Sequence, residues 1–245
     1  MKNQSLLKKS RVIVIGDEKM SIDEKVNALL GLPKSLYYNI KWFGLRKGFF
    51  LPILFGRKCI VRVHHDARIT LPSNLKTGGI KIGVNYGPFG KGRGEHTYFQ
   101  VQSTGKLGFE GKCNINAGSI VNISTGECTL GKQFAANAGF LLSCENQITF
   151  GDDVLLGWDC TVIDGDGHSI SSIGDEKKII NASKPIRVGN HVWMGAKVTV
   201  LKGSEIAQNS IVAYGSIVTQ RYADSNVLLC GRPAQIIKEC VKWNH

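Results

Sequence analysis

The sequence carries a beat of six residues, and that beat limits what the chain can fold into. From Val188 it parses as VGNHVW, MGAKVT, VLKGSE, IAQNSI and VAYGSI, followed by Val218. The first position of successive hexads is Val188, Met194, Val200, Ile206, Val212 and Val218, an unbroken aliphatic series. The fifth position, Val192, Val198, Ser204, Ser210 and Ser216, is small or β-branched. Between them fall Asn190, Gly203, Asn209 and Gly215, residue types that tolerate positive φ. An α-helix repeats every ~3.6 residues and a strand every second residue, so neither gives this period. A short strand followed by a corner does: each face sends one aliphatic side chain inward, and the chain then bends.

Weaker copies precede these hexads at Phe109, Ile115 and Val121, at Leu130, Ala136 and Leu142, and at Phe150, Leu156 and Val162. Three hexads make one coil of a three-sided prism, so coils begin at 109, 130, 150, 188 and 206, in steps of 21, 20, 38 and 18. The long step contains about twenty surplus residues, from Asp164 to Arg187. Chemistry is expected there, because loops on a rigid scaffold carry function. A β-sandwich would also be rich in Gly and Val, but it gives no reason for aliphatics to fall six apart.

Composition narrows the class further. Glycines number 29 against 6 prolines in 245 residues, which suits many tight turns between short strands. With 42% hydrophobic and 20% charged residues the chain is not of the disordered type. The net charge of +12 is lopsided, since residues 1–71 hold 14 Lys/Arg and 5 Asp/Glu. No apolar run approaches the roughly 18 residues of a membrane span. The amino terminus lacks the apolar core of a secretory signal. Seven cysteines without a CxxC pair read as small buried thiols in a reducing compartment, so a cytoplasmic location is expected.

Two stretches carry a family resemblance. One runs from Gly189-Asn190-His191-Val192-Trp193-Met194-Gly195-Ala196 through Tyr214-Gly215-Ser216-Ile217-Val218-Thr219 to Gly231-Arg232-Pro233-Ala234. The other is Leu156-Gly157-Trp158-Asp159-Cys160-Thr161-Val162-Ile163-Asp164-Gly165-Asp166-Gly167-His168-Ser169-Ile170. Together they resemble the hexapeptide-repeat sugar O-acetyltransferases of the galactoside and maltose type, especially those of capsule and O-antigen clusters. Leu32-Pro33-Lys34-Ser35-Leu36-Tyr37-Tyr38-Asn39 and Leu51-Pro52-Ile53 are a weaker echo of the same enzymes. The resemblance implies a left-handed parallel β-helix, a hand that spacing alone does not give. The expected architecture is all-β: a basic cap over 1–79, the β-helix over 80–235 with an inserted loop at 164–187, and a short C-terminal tail or helix over 236–245.

The resemblance also implies a site. Acetyl transfer to a sugar hydroxyl needs a base, and His168, inside the insertion, corresponds to the family's catalytic histidine. Asp164 and Asp166 are candidates to orient its ring. Asn137, Glu145 and Trp193 are candidate contacts to the acceptor or walls of its groove. Ala196, Tyr214, Thr219, Gln220, Arg232, Gln235 and Lys238 match positions lining the acetyl-CoA groove. Tyr214 replaces a small residue there and Gln235 a basic one, so Arg232 or Lys238 must supply charge to the CoA phosphates. A backbone N–H near Gly195 is the expected oxyanion donor.

His191 reads as a solvated corner residue. A γ-carbonic-anhydrase-like metal site needs three histidines including a close pair, and His168 and His191 stand 23 residues apart, so no catalytic metal is expected. Gly90-Lys91-Gly92-Arg93-Gly94 lacks the context of a phosphate loop and reads as an early connection. The stem Lys41-Trp42-Phe43-Gly44-Leu45-Arg46-Lys47-Gly48-Phe49-Phe50 alternates cations with aromatics. It is read either as a cap with a solvated basic face or as a contact to an anionic membrane surface. No nucleic-acid motif accompanies the charge. The resemblance implies a homotrimer acting on a sugar or glycan acceptor. The alternatives are an N-acetyltransferase acting on an amino-sugar nucleotide, for which the VIVIG stretch at Val12–Gly16 is too short a front domain, and an inactive β-helical scaffold.

Overall fold

The computed structural model describes residues 20–245; Val12–Gly16 lies outside them. Three parallel sheets wrap one core: two of seven strands, and one of nine whose last strand runs antiparallel. The first sheet runs from Ile53–Phe55 through Ile80–Ile82 to Leu228–Gly231, the second from Cys59–Val63 to Ile217–Val218, and the third from Arg68–Thr70 to Arg221–Tyr222. The chain visits the sheets in that order and then repeats, which is a parallel β-helix.

The six-residue beat sets the register. In the third sheet Phe109 pairs with Leu130, Leu130 with Phe150, Phe150 with Val188, and Val188 with Ile206. In the first, Ile115, Ala136, Leu156, Met194 and Val212 are in line; in the second, Val121, Leu142, Val162, Val200 and Val218. All of these side chains are buried, as are Val192, Val198, Ser204, Ser210 and Ser216. Toward the amino end Phe55, Phe99, Phe109, Phe134, Phe140 and Phe150 fill a core that tapers to Val and Ile beyond it. At the corners Gly203, Asn209 and Gly215 take positive φ, but at Asn190 the positive φ falls one residue on, at His191.

The stacking starts at Ile53 rather than at residue 80, because Ile53, Leu54 and Phe55 pair with Ile80, Lys81 and Ile82. The open edge of that strand is covered by a helix, Ile22–Gly48, which begins in a capping box of Ser21 and Glu24 and breaks its geometry at Gly44. The face it buries is polar. Asn39 donates to the Ile53 carbonyl at 2.7 Å and accepts from the Ile53 N–H at 3.1 Å; Ser35 accepts from the Phe55 N–H at 2.9 Å. Asn27 donates to the carbonyls of Gly83 and Val84 and accepts from the Arg57 N–H. Asn27, Gly31, Ser35 and Asn39 recur every fourth residue, so one stripe of the helix replaces the missing neighbour strand. Lys34 adds bonds to the carbonyls of Gly56, Arg57 and Cys59, and burial pulls its amine below the usual lysine range.

At the other end the expected C-terminal helix is a strand. Ala234–Lys238 turns back at Arg232-Pro233 and pairs antiparallel with Leu228–Gly231. The last coil exposes unpaired backbone groups that a strand satisfies and a helix would not. Five cysteines are buried, Cys230 is half-buried and Cys240 is exposed, so the buried-thiol reading fails for the last two. Burial pushes the Cys59 thiol up to about 12 and Cys160 to about 11, which makes both poor nucleophiles. No helix among the described residues is long and apolar enough to cross a membrane.

Candidate active site

The insertion leaves the second sheet after Ile163 and rejoins the third at Ile186, with Phe150 and Val188 still in register beneath it. It contains a small antiparallel ladder between Ser171–Ser172 and Asp175–Ile179. His168 lies on its outgoing arm, exposed, and its ring makes no hydrogen bond among the described residues.

Its expected carboxylate partners are engaged elsewhere. Asp164 is fully buried and accepts from the N–H groups of Glu145 at 2.7 Å and Asn146 at 2.9 Å, which pins the insertion to the preceding coil. Asp166 accepts from Lys202 at 2.5 Å and from Asn181 at 2.8 Å. Those two donors hold its carboxyl below the usual carboxylate range. Within one chain, then, neither aspartate orients the imidazole. What holds His168 is its backbone: Asn181 donates to the His168 carbonyl at 2.7 Å and accepts from the Ile170 N–H at 2.7 Å. Lys202 also donates to the Asn181 carbonyl at 2.8 Å. Asn181 and Lys202, which hold the backbone of the insertion around His168, were missed by the sequence reading. Lys202 sits at the insertion's own corner one coil later, and that offset was the available signal.

Most of the remaining candidates fall on two edges of the prism. Glu145 shares the edge of the insertion, its carboxylate so close to Gly165 that a Cβ there would meet Oε2 at 2.1 Å. Thr219 and Gln220 are exposed on that same edge, between the strands Ile217–Val218 and Arg221–Tyr222. Asn137, Ala196 and Tyr214 lie on the edge between the first and second sheets. The Asn137 amide donates to the Leu156 carbonyl at 3.1 Å and accepts from Asn116 at 3.2 Å, so much of its capacity is spent inside the stack. Tyr214 is exposed, with Lys197 Nζ 5.9 Å from its ring centroid. Arg232 donates to the Gly215 carbonyl at 2.5 Å, which holds a guanidinium beside Tyr214. Gln235 and Lys238 are exposed on the terminal strand, and Trp193 faces outward from the first sheet. The Gly195 N–H donates to the Val212 carbonyl at 2.8 Å, so that group is committed to the sheet and is not a free oxyanion donor.

Two other readings change. His191 is a corner residue, but its ring is not merely solvated: Nδ1 lies 2.6 Å from Asp153 and the face stacks on Trp243. The 90–94 segment is a connection, as read, held by ion pairs of Lys91 with Asp159 and Arg93 with Asp23. With Trp158 it lines a cleft of about 400 Å³ on the edge that carries Asn137.

No protein-family model matches the chain. Over 127 residues it is 30% identical to the polysialic acid O-acetyltransferase of Escherichia coli O1:K1 / APEC, covering 51% of this chain and 41% of that protein. Over 110 residues it is 34% identical to the galactoside O-acetyltransferase of Escherichia coli (strain K12), covering 45% and 53%. Over 131 residues it is 30% identical to the polysialic acid O-acetyltransferase of Neisseria meningitidis, covering 52% and 60%. The chain thus spans about half the length of the curated relatives it matches. The crystal structure of the polySia-specific acetyltransferase NeuO superposes with a TM-score of 0.54 at 20% identity, covering 79% of each chain, a likeness of fold. The chain is therefore a left-handed parallel β-helix of hexapeptide repeats, similar over about half its length to proteins named polysialic acid and galactoside O-acetyltransferases.

Proposed function

We propose that this chain is an acetyl-CoA-dependent O-acetyltransferase acting on a sugar hydroxyl of a surface polysaccharide or its precursor, with His168 as the general base. The observation that carries the reading is the insertion between Ile163 and Ile186, which breaks the coil series and places His168 on the edge that also carries Glu145. In the proposed step an unprotonated imidazole nitrogen takes the hydroxyl proton as the sugar oxygen attacks the thioester carbonyl. The tetrahedral intermediate collapses with cleavage of the C–S bond, and the imidazolium returns the proton to the departing CoA sulfur. No acyl-enzyme forms, and the chemistry uses no metal.

The donor would lie along the edge of Ala196 and Tyr214, where Arg232 and Lys197 supply the cationic surroundings its phosphates need; Lys238 pairs with Leu228, at the far end of the last strand of that sheet. Tyr214 points into solvent, so the bulk that replaces a small family residue stands beside the groove instead of filling it. His168 and this donor edge are separated within one chain by the full width of the second sheet. That division favours a homotrimer in which the insertion of one subunit meets the donor edge of the next. Peripheral contact with an anionic membrane surface is part of the proposal: Leu45, Phe49 and Phe50 are exposed next to Lys41, Arg46 and Lys47. Trp42, from the same stem, instead packs inward against Phe55 and Phe99.

The test is His168→Ala in an acetyl-CoA turnover assay with candidate glycans. The expected loss in kcat is roughly 10²–10⁴ with CoA affinity nearly unchanged. An alanine variant of full activity refutes the assignment. An alkali-labile product identifies an ester, whereas a stable amide would move the protein to N-acetyl transfer.

A further inference from the structure

The C-terminal tail closes a cluster of side chains that acetyl transfer does not use. Asp153 and His191 occupy equivalent corners of consecutive coils between the third and first sheets, with φ of 59° and 53°. This is a different edge from the one that carries His168. Asp153 Oδ2 lies 2.6 Å from His191 Nδ1, and its Oδ1 lies 2.7 Å from His245 Nε2. The other nitrogen of His191, Nε2, faces the Trp243 carbonyl at 3.3 Å.

The arrangement is anchored. Trp243 is buried, donates its indole N–H to the His191 carbonyl at 2.9 Å, and stacks on the imidazole at 4.2 Å between centroids and 9° between planes. A neutral imidazole has one N–H to give, yet both nitrogens of His191 meet oxygen acceptors. When Nε2–H serves the Trp243 carbonyl, the Nδ1 lone pair points at a carboxylate. His245 aims a second ring nitrogen at that carboxylate. The ligand atoms of the three residues lie within 4.8 Å of one another, close enough for all three to give a lone pair to one cation.

We propose that Asp153, His191 and His245 form a binding site for a divalent transition-metal ion of the zinc class. Two imidazole nitrogens and one carboxylate suit zinc, cobalt or nickel rather than the all-oxygen preference of magnesium and calcium. The Nε2–H bond of His191 to a backbone carbonyl is the outer-shell contact that fixes the tautomer of a metal-ligating histidine. Tetrahedral ligands about 2.1 Å from the ion stand about 3.4 Å apart, so the present contacts open by less than about 1 Å to admit it. Water completes the coordination. The ion locks the tail against the first sheet, where the Trp243 ring lies 6.2 Å from Trp193.

The full chain, stripped of metal by a chelator, is titrated with Co²⁺ while its visible d–d bands are recorded, and then with Zn²⁺ in competition and in thermal melts. The expected result is one equivalent of Co²⁺ displaced by Zn²⁺, with a rise in Tm on binding. His245→Ala removes a ligand at the end of the tail and leaves the coils intact; affinity should fall at least about tenfold for it and for Asp153→Asn. A His64→Ala/His65→Ala variant controls for the other group of potential ligands among the described residues, the exposed run His64, His65 and Asp66, and should bind as the parent does. The proposal fails if the parent binds no Co²⁺ at submillimolar concentration, if His245→Ala binds as tightly as the parent, or if binding follows His64 and His65. None of these outcomes depends on acetyl transfer.

Discussion

Replacing Gly31 with alanine tests how the helix seats on the first coil. A Cβ at this position would lie 1.9 Å from the Phe55 carbonyl oxygen and 3.0 Å from its carbon. Both are backbone atoms of a paired strand, so the helix has to lift by more than about 1 Å to restore ordinary contact. Lifting breaks the Ser35–Phe55 bond of 2.9 Å and the two Asn39–Ile53 bonds of 2.7 and 3.1 Å. Each net hydrogen bond contributes about 1 kcal/mol, and a buried group left without a partner costs about 1–3 kcal/mol. Three lost bonds therefore amount to about 3–5 kcal/mol. Helix propensity works the other way, since alanine is better than glycine by about 1 kcal/mol in a helix interior. The net expectation is a loss of about 2–4 kcal/mol, opposite in sign to the propensity. Urea unfolding measures it, and hydrogen exchange localises it to the Ile53 and Phe55 amides, whose protection should fall. A variant as stable as the parent, with those amides still protected, would refute the docking argument.

Three further outcomes are expected. Lys202→Met removes the cation that holds Asp166 and Asn181; kcat should fall about tenfold with little change in Tm, because the exposed ion pair itself contributes little to stability. The Asp166 carboxyl is depressed in the folded state, so its hold on the insertion is complete above the ordinary carboxylate range near 3.9 and is lost only as pH falls through its lowered value. Exchange at Ile170 should accordingly accelerate only below about pH 4, and Asp166→Asn should abolish that dependence. Sedimentation with vesicles containing phosphatidylserine should pull down the parent but not a Leu45→Ser/Phe49→Ser/Phe50→Ser variant, and high salt should weaken the parent's binding; equal sedimentation of both would exclude this surface.

The coil register was legible residue by residue, because a repeat that buries one aliphatic per face leaves a period that nothing else imitates. The line Phe109, Leu130, Phe150, Val188 and Ile206 is both the sequence reading and the observed pairing of the third sheet. The helix was not legible for the reverse reason. Its buried stripe is Asn27, Gly31, Ser35 and Asn39, while Ile22, Leu29, Leu30 and Tyr37 face outward, so an amphipathic pattern read in the usual sense points the wrong way. The C-terminal strand was missed although its pairing with Leu228–Gly231 is local, because the Arg232-Pro233 turn that closes the hairpin lacks the Asn-Gly or Asp-Gly signature of a two-residue hairpin loop. In the site, the position of His168 was visible as a surplus in the spacing. The partners of Asp164 were not, since backbone amides of another coil leave no mark on local sequence; those of Asp166 are the side chains of Asn181 and Lys202, and only the one-coil offset of Lys202 pointed to them.

Because Phe150 and Val188 pair in the same parallel register as Leu130 and Phe150, the prism is closed beneath the insertion as though the extra residues were absent. Mechanically the loop resembles a tool clipped to a handle. Its length and residues can drift, or be exchanged with those of a homologue, without disturbing the layers above and below. If the proposed function holds, grafting another loop between Ile163 and Ile186 should change acceptor preference, provided that the graft supplies its own counterparts to Asp164 and Asn181.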